Sequence, residues 1–313
     1  MRFALMIEGQ EDVSWDDWRR LAQSAIDLGF HALFRSDHYL SADGQDARGS
    51  LDAWSTIAAL GAVTDGLRLG TLVSPATFRH PSVLAKTVVT ADHISGGRVE
   101  LGIGAGWLES EHRSYGFPFP PLRTRLDRLA EQLRIIRGSW GTGPFTFRGE
   151  HWSVEELDAL PKPMQQPCPP LILGGMGGAR SVAIAAELAS EYNVFYASPD
   201  EAWAIRERLD AACDQIGRDP STLSFSLMDG FLIGETTGEL ESRALELEAW
   251  QGKPIDIDEL RATWLVGSPT EITGRLGEYG DAGIERVMLQ HHLIDDAEAL
   301  RLFAEQVAPA LIS

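Results

Sequence analysis

The sequence predicts an α/β protein built as a (β/α)8 TIM barrel with insertion segments, and three observations carry that prediction. Short β-type runs alternate with amphipathic helical stretches through eight strand–helix units, the count that closes such a barrel. No linker interrupts the repeat, so residues 1–313 are expected to form one barrel domain. The length of 313 residues suits a barrel of about 250 residues plus two excursions, placed at about 138–170 and 234–263. A doubly wound open sheet is the alternative, but it prefers a GxGxxG turn after the first strand. Glu8-Gly9-Gln10-Glu11 offers none.

The elements follow in order. Residues 1–8 read as a strand running into Glu8, and Ser14 with Asp17 three positions on reads as a capping box. Trp15, Trp18, Ala22 and Ala25 form the apolar stripe of that helix, which Gly29 ends. Residues 31–35 are the second strand, tipped by Ser36-Asp37-His38-Tyr39. A Gly/Asp-rich loop at 41–50 leads to a helix at 51–63. The third strand is 67–73, and the helix at 80–94 carries Leu84, Val88 and Ala91 at helical spacing. The fourth strand is 98–103. In the helix at 122–136, Leu122, Leu126, Leu129, Leu133 and Ile136 recur at alternating steps of four and three. The first excursion suggests a small hairpin around Phe145-Thr146-Phe147. Strands at 170–173, 193–196 and 223–233 alternate with helices at 179–189 and 200–216. The second excursion holds an acidic helix at 239–250. A helix at 270–280, a strand at 285–290 and a helix at 298–311 complete the repeat.

Composition removes several functions. Lys and Arg number 27 against 46 Asp and Glu, a net charge of −19, and basic clusters are lacking, so a nucleic-acid partner is not expected. No apolar run approaches the roughly 20 residues that span a bilayer, and the opening strand does not read as a signal peptide. Cys168 and Cys213, without a CxxC pair, imply neither a disulfide framework nor a zinc site. The expectation is a cytoplasmic protein that acts on a small molecule and holds no metal.

A barrel places its chemistry at the C-terminal ends of its strands. There the sequence sets Asp37-His38, Ser74 to Phe78, Gly104-Ala105-Gly106-Trp107, Gly174-Gly175-Met176-Gly177-Gly178 and His291-His292. The last glycine run lies between a strand and a helix, where backbone N–H groups and the helix dipole can hold a phosphate; a flexible turn has the same composition. The Gly102-x-Gly104-x-Gly106 spacing admits either a flat ring against the backbone or close packing at the barrel mouth. His38 beside Asp37 can move a proton near neutral pH, or serve as a structural hydrogen-bonder. Phe78 and Trp107 are candidates for an apolar substrate pocket. Strand alternation aims only one of His291 and His292 inward, and His291 is taken for that pocket.

Ser36-Asp37-His38-Tyr39, Leu69-Gly70-Thr71-Leu72-Val73-Ser74-Pro75, Gly96 to Trp107, Pro170 to Gly175 and Gly280 to Leu289 together resemble the bacterial luciferase-like flavin oxidoreductase superfamily. That superfamily folds as a (β/α)8 barrel and uses either FMN with oxygen or the deazaflavin coenzyme F420. The Ser-Asp-His-Tyr tip is similar to the F420 branch. The resemblance implies an F420-dependent enzyme moving a hydride between deazaflavin and a small organic substrate, with His38 assisting proton transfer. It implies a cofactor site of Asp37, His38, Leu72, Val73, Ser74, Ala105, Gly106, Gly174, Gly175, Gly177 and Gly178, with a non-prolyl cis peptide within Leu72-Val73-Ser74. Trp107 stands where sugar-phosphate dehydrogenases of the superfamily carry a catalytic Glu, with Glu109 and Glu111 displaced, which points away from glucose 6-phosphate. The alternatives are an FMN-dependent monooxygenase fed by a partner flavin reductase, and a cofactor-free binding barrel. Homodimers are common in the superfamily and compatible with the first helices.

Overall fold

The computed structural model describes residues 1–42, 44 and 47–312, so part of the expected 41–50 loop (Asp43, Gln45, Asp46) and Ser313 lie outside the described residues. The chain opens with β1 (Arg2–Ile7), α1 (Trp15–Asp27), β2 (Ala32–Arg35), α2 (Ala53–Val63), β3 (Arg68–Pro75), α3 (Pro81–Ser95) and β4 (Val99–Gly104). Next come α4 (Glu109–Tyr115), α5 (Leu122–Trp140), the strands β5 (Phe145–Arg148) and β6 (Ser153–Leu157), β7 (Leu171–Gly174), α6 (Ala179–Leu188) and β8 (Glu191–Phe195). The remainder is α7 (Pro199–Gln215), β9 (Ser224–Ile233), α8 (Thr237–Gln251), α9 (Ile257–Arg261), β10 (Leu265–Gly267), α10 (Pro269–Asp281), β11 (Arg286–Gln290) and α11 (Ala297–Gln306).

The strands β1, β2, β3, β4, β7, β8, β9 and β11 pair in that order, all parallel, and β11 returns to β1 with Phe3 opposite Val287 and Leu5 opposite Leu289. This closed ring is the (β/α)8 barrel, and it disposes of the open-sheet alternative. Helix starts follow the sequence closely. Ser14 and Asp17, Ser198 and Glu201, and Ser268 and Glu271 each form a reciprocal capping box. In α5 the stripe holds except at Leu122, which is 56% exposed because the buried face begins only at Arg125.

Strand alternation sorts the core into two shells. Leu5, Leu33, Leu69 and Leu101 face outward and pack with Trp18, Ile57, Leu84 and Leu133 from the helices. Ala4, Met6, Ala32, Phe34, Leu72, Ile172 and Met288 face inward and fill the barrel, with Val73 and Met228 above them partly covered. The floor is ionic. Arg286, at the start of β11, bonds Glu100 at 2.8 Å and Glu191 at 2.6 Å, lies over the Phe34 ring at 5.1 Å, and Arg68 also meets Glu100. Burial pushes the Glu100 carboxyl up, but Arg286 and Arg68 overrule it and hold it at about 2. The site is therefore left to the opposite end.

Both excursions are structured. The hairpin β5–β6 forms where expected and is tied to α5 by Glu131, which accepts from the backbone N–H of Glu150, His151 and Trp152 at 2.8, 2.9 and 2.9 Å. The second excursion builds its own small core from Leu232, Leu240, Ala244, Leu247, Trp264 and Val266. It ends in β10, a strand the sequence reading does not foresee, which pairs with Phe231 to Ile233 of β9. No helix among the described residues is long and apolar enough to cross a membrane.

Candidate active site

At the mouth, the end of β2 supplies two residues with opposite fates. Asp37 is fully buried, and its carboxylate accepts from Ser74 Oγ at 2.6 Å and from Arg79 at 2.6 and 3.1 Å. Trp54 Nε1 donates to Ser74 Oγ at 3.0 Å, and Arg79 also reaches Asp52 and the Tyr39 hydroxyl, each at 3.1 Å. The resemblance would have Asp37 and His38 border the ring; here the Asp37 carboxylate bonds Ser74 and Arg79 and ties the ends of β2 and β3 together. His38, one residue on, continues the inward face of β2. Its Nδ1 lies 2.9 Å from Glu111 Oε2, and its ring meets the Trp107 ring edge-on at 5.6 Å. Burial favours the neutral imidazole, but the hydrogen bond and charge of Glu111, with Glu8 and Asp37, prevail and raise His38 above its ordinary value.

The peptide Leu72–Val73 is cis, within the stretch where the resemblance placed such a bond. Val73 explains the neighbouring glycines. A Cβ on Gly104 would come within 2.8 Å of Val73 Cγ2, and one on Gly174 within 3.1 Å of Val73 Cγ1. The Gly102-x-Gly104 spacing therefore serves close packing around Val73. Gly106 has φ +80 and carries Ala105 into the turn that exposes Trp107. Trp107, Met176 and Phe195 are 60%, 49% and 39% exposed, although all are large and apolar. They stand after β4, after β7 and at the end of β8. Exposed apolar side chains gathered at one rim mark a ligand surface.

The glycine run after β7 has the character of an anion turn. Gly175 passes so close to the Tyr192 hydroxyl that a Cβ would sit 2.5 Å from it, and Gly177 donates its N–H to that hydroxyl at 2.8 Å with φ +69. Gly178 begins α6 with no side-chain cap, which leaves the first N–H groups of that helix for a ligand. Arg180 is turned away to Asp127. The adjacent cation is Arg208 of α7, whose Nη2 lies 3.0 Å from where a Gly177 Cβ would be. Sequence order gives no hint of Arg208; only packing of α7 on α6 brings it there.

The opposite rim is aromatic and amide-lined. Glu8 accepts from Gln10 Nε2 at 2.8 Å and from Gln290 Nε2, and Gln290 in turn accepts from the Tyr196 hydroxyl. Tyr196 stacks on Trp264 (6.4 Å, 8°), Trp264 on His292 (5.1 Å, 16°), and His292 faces Trp250 (4.9 Å), which lies under the Arg48 guanidinium. The Trp264 ring fills the place of a Gly230 side chain. Alternation thus gives the inward position to His292. His291, assigned to the pocket from sequence, faces outward to Phe231 and lines a cavity of ≈ 10 Å³ with Ile233 and Arg243, room for one water. Burial drives both imidazoles down, His291 to about 4 and His292 to about 3. Phe78 is stacked on Tyr39 (5.4 Å) and tilted against Phe117 (4.7 Å) in an aromatic cluster beside the mouth. No group of three or more His, Cys, Asp or Glu among the described residues could hold a metal ion.

Residues 1–286 match the family described as luciferase-like monooxygenase. The chain belongs to that family. Luciferase-like relatives use two cofactors. An F420-dependent glucose-6-phosphate dehydrogenase of Microbacterium testaceum is 28% identical over 92% of this chain and 90% of its own length. An FMNH(2)-dependent dimethylsulfone monooxygenase of Pseudomonas putida is 29% identical over 60% of this chain and 50% of its own. Among solved structures, an F420-dependent secondary alcohol dehydrogenase in complex with an F420-acetone adduct superposes with a TM-score of 0.86 at 20% identity, covering 100% of this chain and 99% of that one; it supports the fold.

Proposed function

We propose that this luciferase-like protein is an F420-dependent oxidoreductase that moves a hydride between the deazaflavin and a small organic alcohol or carbonyl compound. The observation that carries the reading is His38, held at the rim of the mouth by Glu111 Oε2 at 2.9 Å, whose hydrogen bond and charge raise the imidazole above its ordinary value. Hydride transfer to or from a C–O group needs a proton partner with a pKa near working pH. The residues present fit the cofactor: an apolar rim for its ring and an uncapped helix N-terminus with Arg208 for its phosphate. When bound, the deazaflavin supplies the carbon that accepts or gives the hydride. His38 Nε2 takes the hydroxyl proton of an alcohol as its C–H hydride leaves, or returns that proton to the oxygen in the reverse direction. Asp37, Arg79 and Ser74 keep the ends of β2 and β3 fixed, so His38 holds its place. The Glu8–Gln290–Tyr196 rim and Trp264 wall the mouth on the other side and restrict water.

Titrating F420 and FMN into the same apo preparation by fluorescence quenching tests this. Tight F420 and weak FMN binding is the expected result. The reverse transfers the reading to a monooxygenase supplied by a flavin reductase, as the dimethylsulfone relative suggests. If neither binds below about millimolar, only about −4 kcal/mol, the enzymatic reading falls. With F420 bound, His38→Ala is expected to lower turnover about 100- to 10,000-fold with affinity unchanged. Undiminished turnover would remove His38 from the chemistry.

A further inference from the structure

We propose that Glu111, on α4, is the positioning residue for His38: it fixes the hydrogen on Nδ1 and so reserves Nε2 for the mouth. The catalytic meaning of this rests on the reading above; the geometry does not.

Glu111 has no solvent exposure, a costly place for a carboxyl group unless donors surround it. Donors do. Oε1 accepts from the backbone N–H of Tyr39 and, at 3.2 Å, of Leu40, while Oε2 faces His38 Nδ1 at 2.9 Å. A backbone N–H can only donate, so Oε1 is committed as an acceptor twice over. With Glu111 ionised, Oε2 accepts from its third partner too, and Nδ1 carries the hydrogen whether the ring is neutral or charged. Among the described residues nothing bonds Nε2, which is therefore the atom that gains and loses a proton. Free imidazole side chains in water favour the other arrangement, hydrogen on Nε2, so the protein reverses the ordinary preference. The charged and titratable groups facing the ring are Glu111 from α4, Glu8 after β1 and Asp37 from the end of β2, the last paired with Arg79; Trp107 presents an edge. The same Glu111 bonds hold the backbone turn that bears His38, so orientation and tautomer have one cause.

Long-range 1H–15N NMR of the full-length apo protein reads the tautomer directly, with His38→Gln identifying the signal. The expected neutral form of His38 carries its hydrogen on Nδ1; finding it on Nε2 overturns the proposal. In Glu111→Gln the amide oxygen can keep the Tyr39 and Leu40 contacts while its NH2 faces Nδ1. That variant should move the hydrogen to Nε2 and lower the titration midpoint by at least one pH unit. An unchanged tautomer and midpoint in folded Glu111→Gln also overturns it. If the variant does not fold, the wild-type tautomer alone decides. None of these spectra requires a cofactor, so failure of the F420 reading would show separately, in the binding titration.

Discussion

Replacing Gly177 with Ala probes the glycine turn after β7. At φ +69 a non-glycine residue costs about 1–2 kcal/mol. The new methyl would lie 2.6 Å from Cγ1 of Ile205, which is buried and cannot swing into solvent, and 3.0 Å from Arg208 Nη2. Crowding of that kind adds about 1–3 kcal/mol, so the variant should lose about 2–5 kcal/mol. With an unfolding entropy of about 2.1 cal/mol/K per residue, 313 residues translate that loss into a Tm lowered by about 3–8 °C. Gly178→Ala is the control. Its φ is −64, its nearest neighbour is Ser181 Oγ at 3.9 Å, and only the helix-cap preference is lost, about 0.5–1 kcal/mol. Differential scanning calorimetry should separate the two variants, and cofactor titration should show Gly177→Ala binding about tenfold more weakly. Equal melting temperatures, or a Gly177→Ala protein as stable as wild type, would refute the account of the turn.

Two further outcomes follow from the charges. The Glu100 carboxyl is held at about 2 against an ordinary 4.5, so its contribution, about 3 kcal/mol, is fully present above pH 4.5 and disappears as pH falls toward 2. Glu100→Gln should be less stable than wild type at pH 7 yet lose less stability between pH 5 and 3; parallel Tm curves would contradict this. Arg208→Met should weaken binding of the proposed cofactor about 5- to 20-fold while leaving Tm nearly unchanged, since no carboxylate pairs with that guanidinium among the described residues. Unaltered affinity by fluorescence titration would exclude Arg208 from the proposed cofactor site.

The barrel was legible because its signals are local: alternating strand and helix periodicities, the capping box at Ser14, and short connections. Of the candidate site, the sequence could bring together only what one motif holds, as in Asp37-His38 and the glycine turn. The sequence shows Asp37 only as a carboxylate beside a histidine, while the ion pair that holds it comes from Arg79, 42 positions away. The choice between His291 and His292 depended on the inward register of β11, which pairing with β1 sets and no adjacent-residue pattern reveals. Trp264 and Arg208 enter through an excursion and a helix pair whose contacts lie far apart in sequence.

The column of Tyr196, Trp264, His292, Trp250 and Arg48 has a bearing on how this scaffold can be altered. Its members come from the loop after β2, the end of β8, the end of α8, the turn after α9 and the turn after β11. The excursion at 234–263 looks like a detachable module, yet it is riveted to three other segments through stacked faces and to Glu11 through Arg48, at 2.7 Å. A chimera that imports this segment from a relative must import partners for positions 48, 196 and 292 with it. Otherwise the transplanted helix arrives without the surface that seats it.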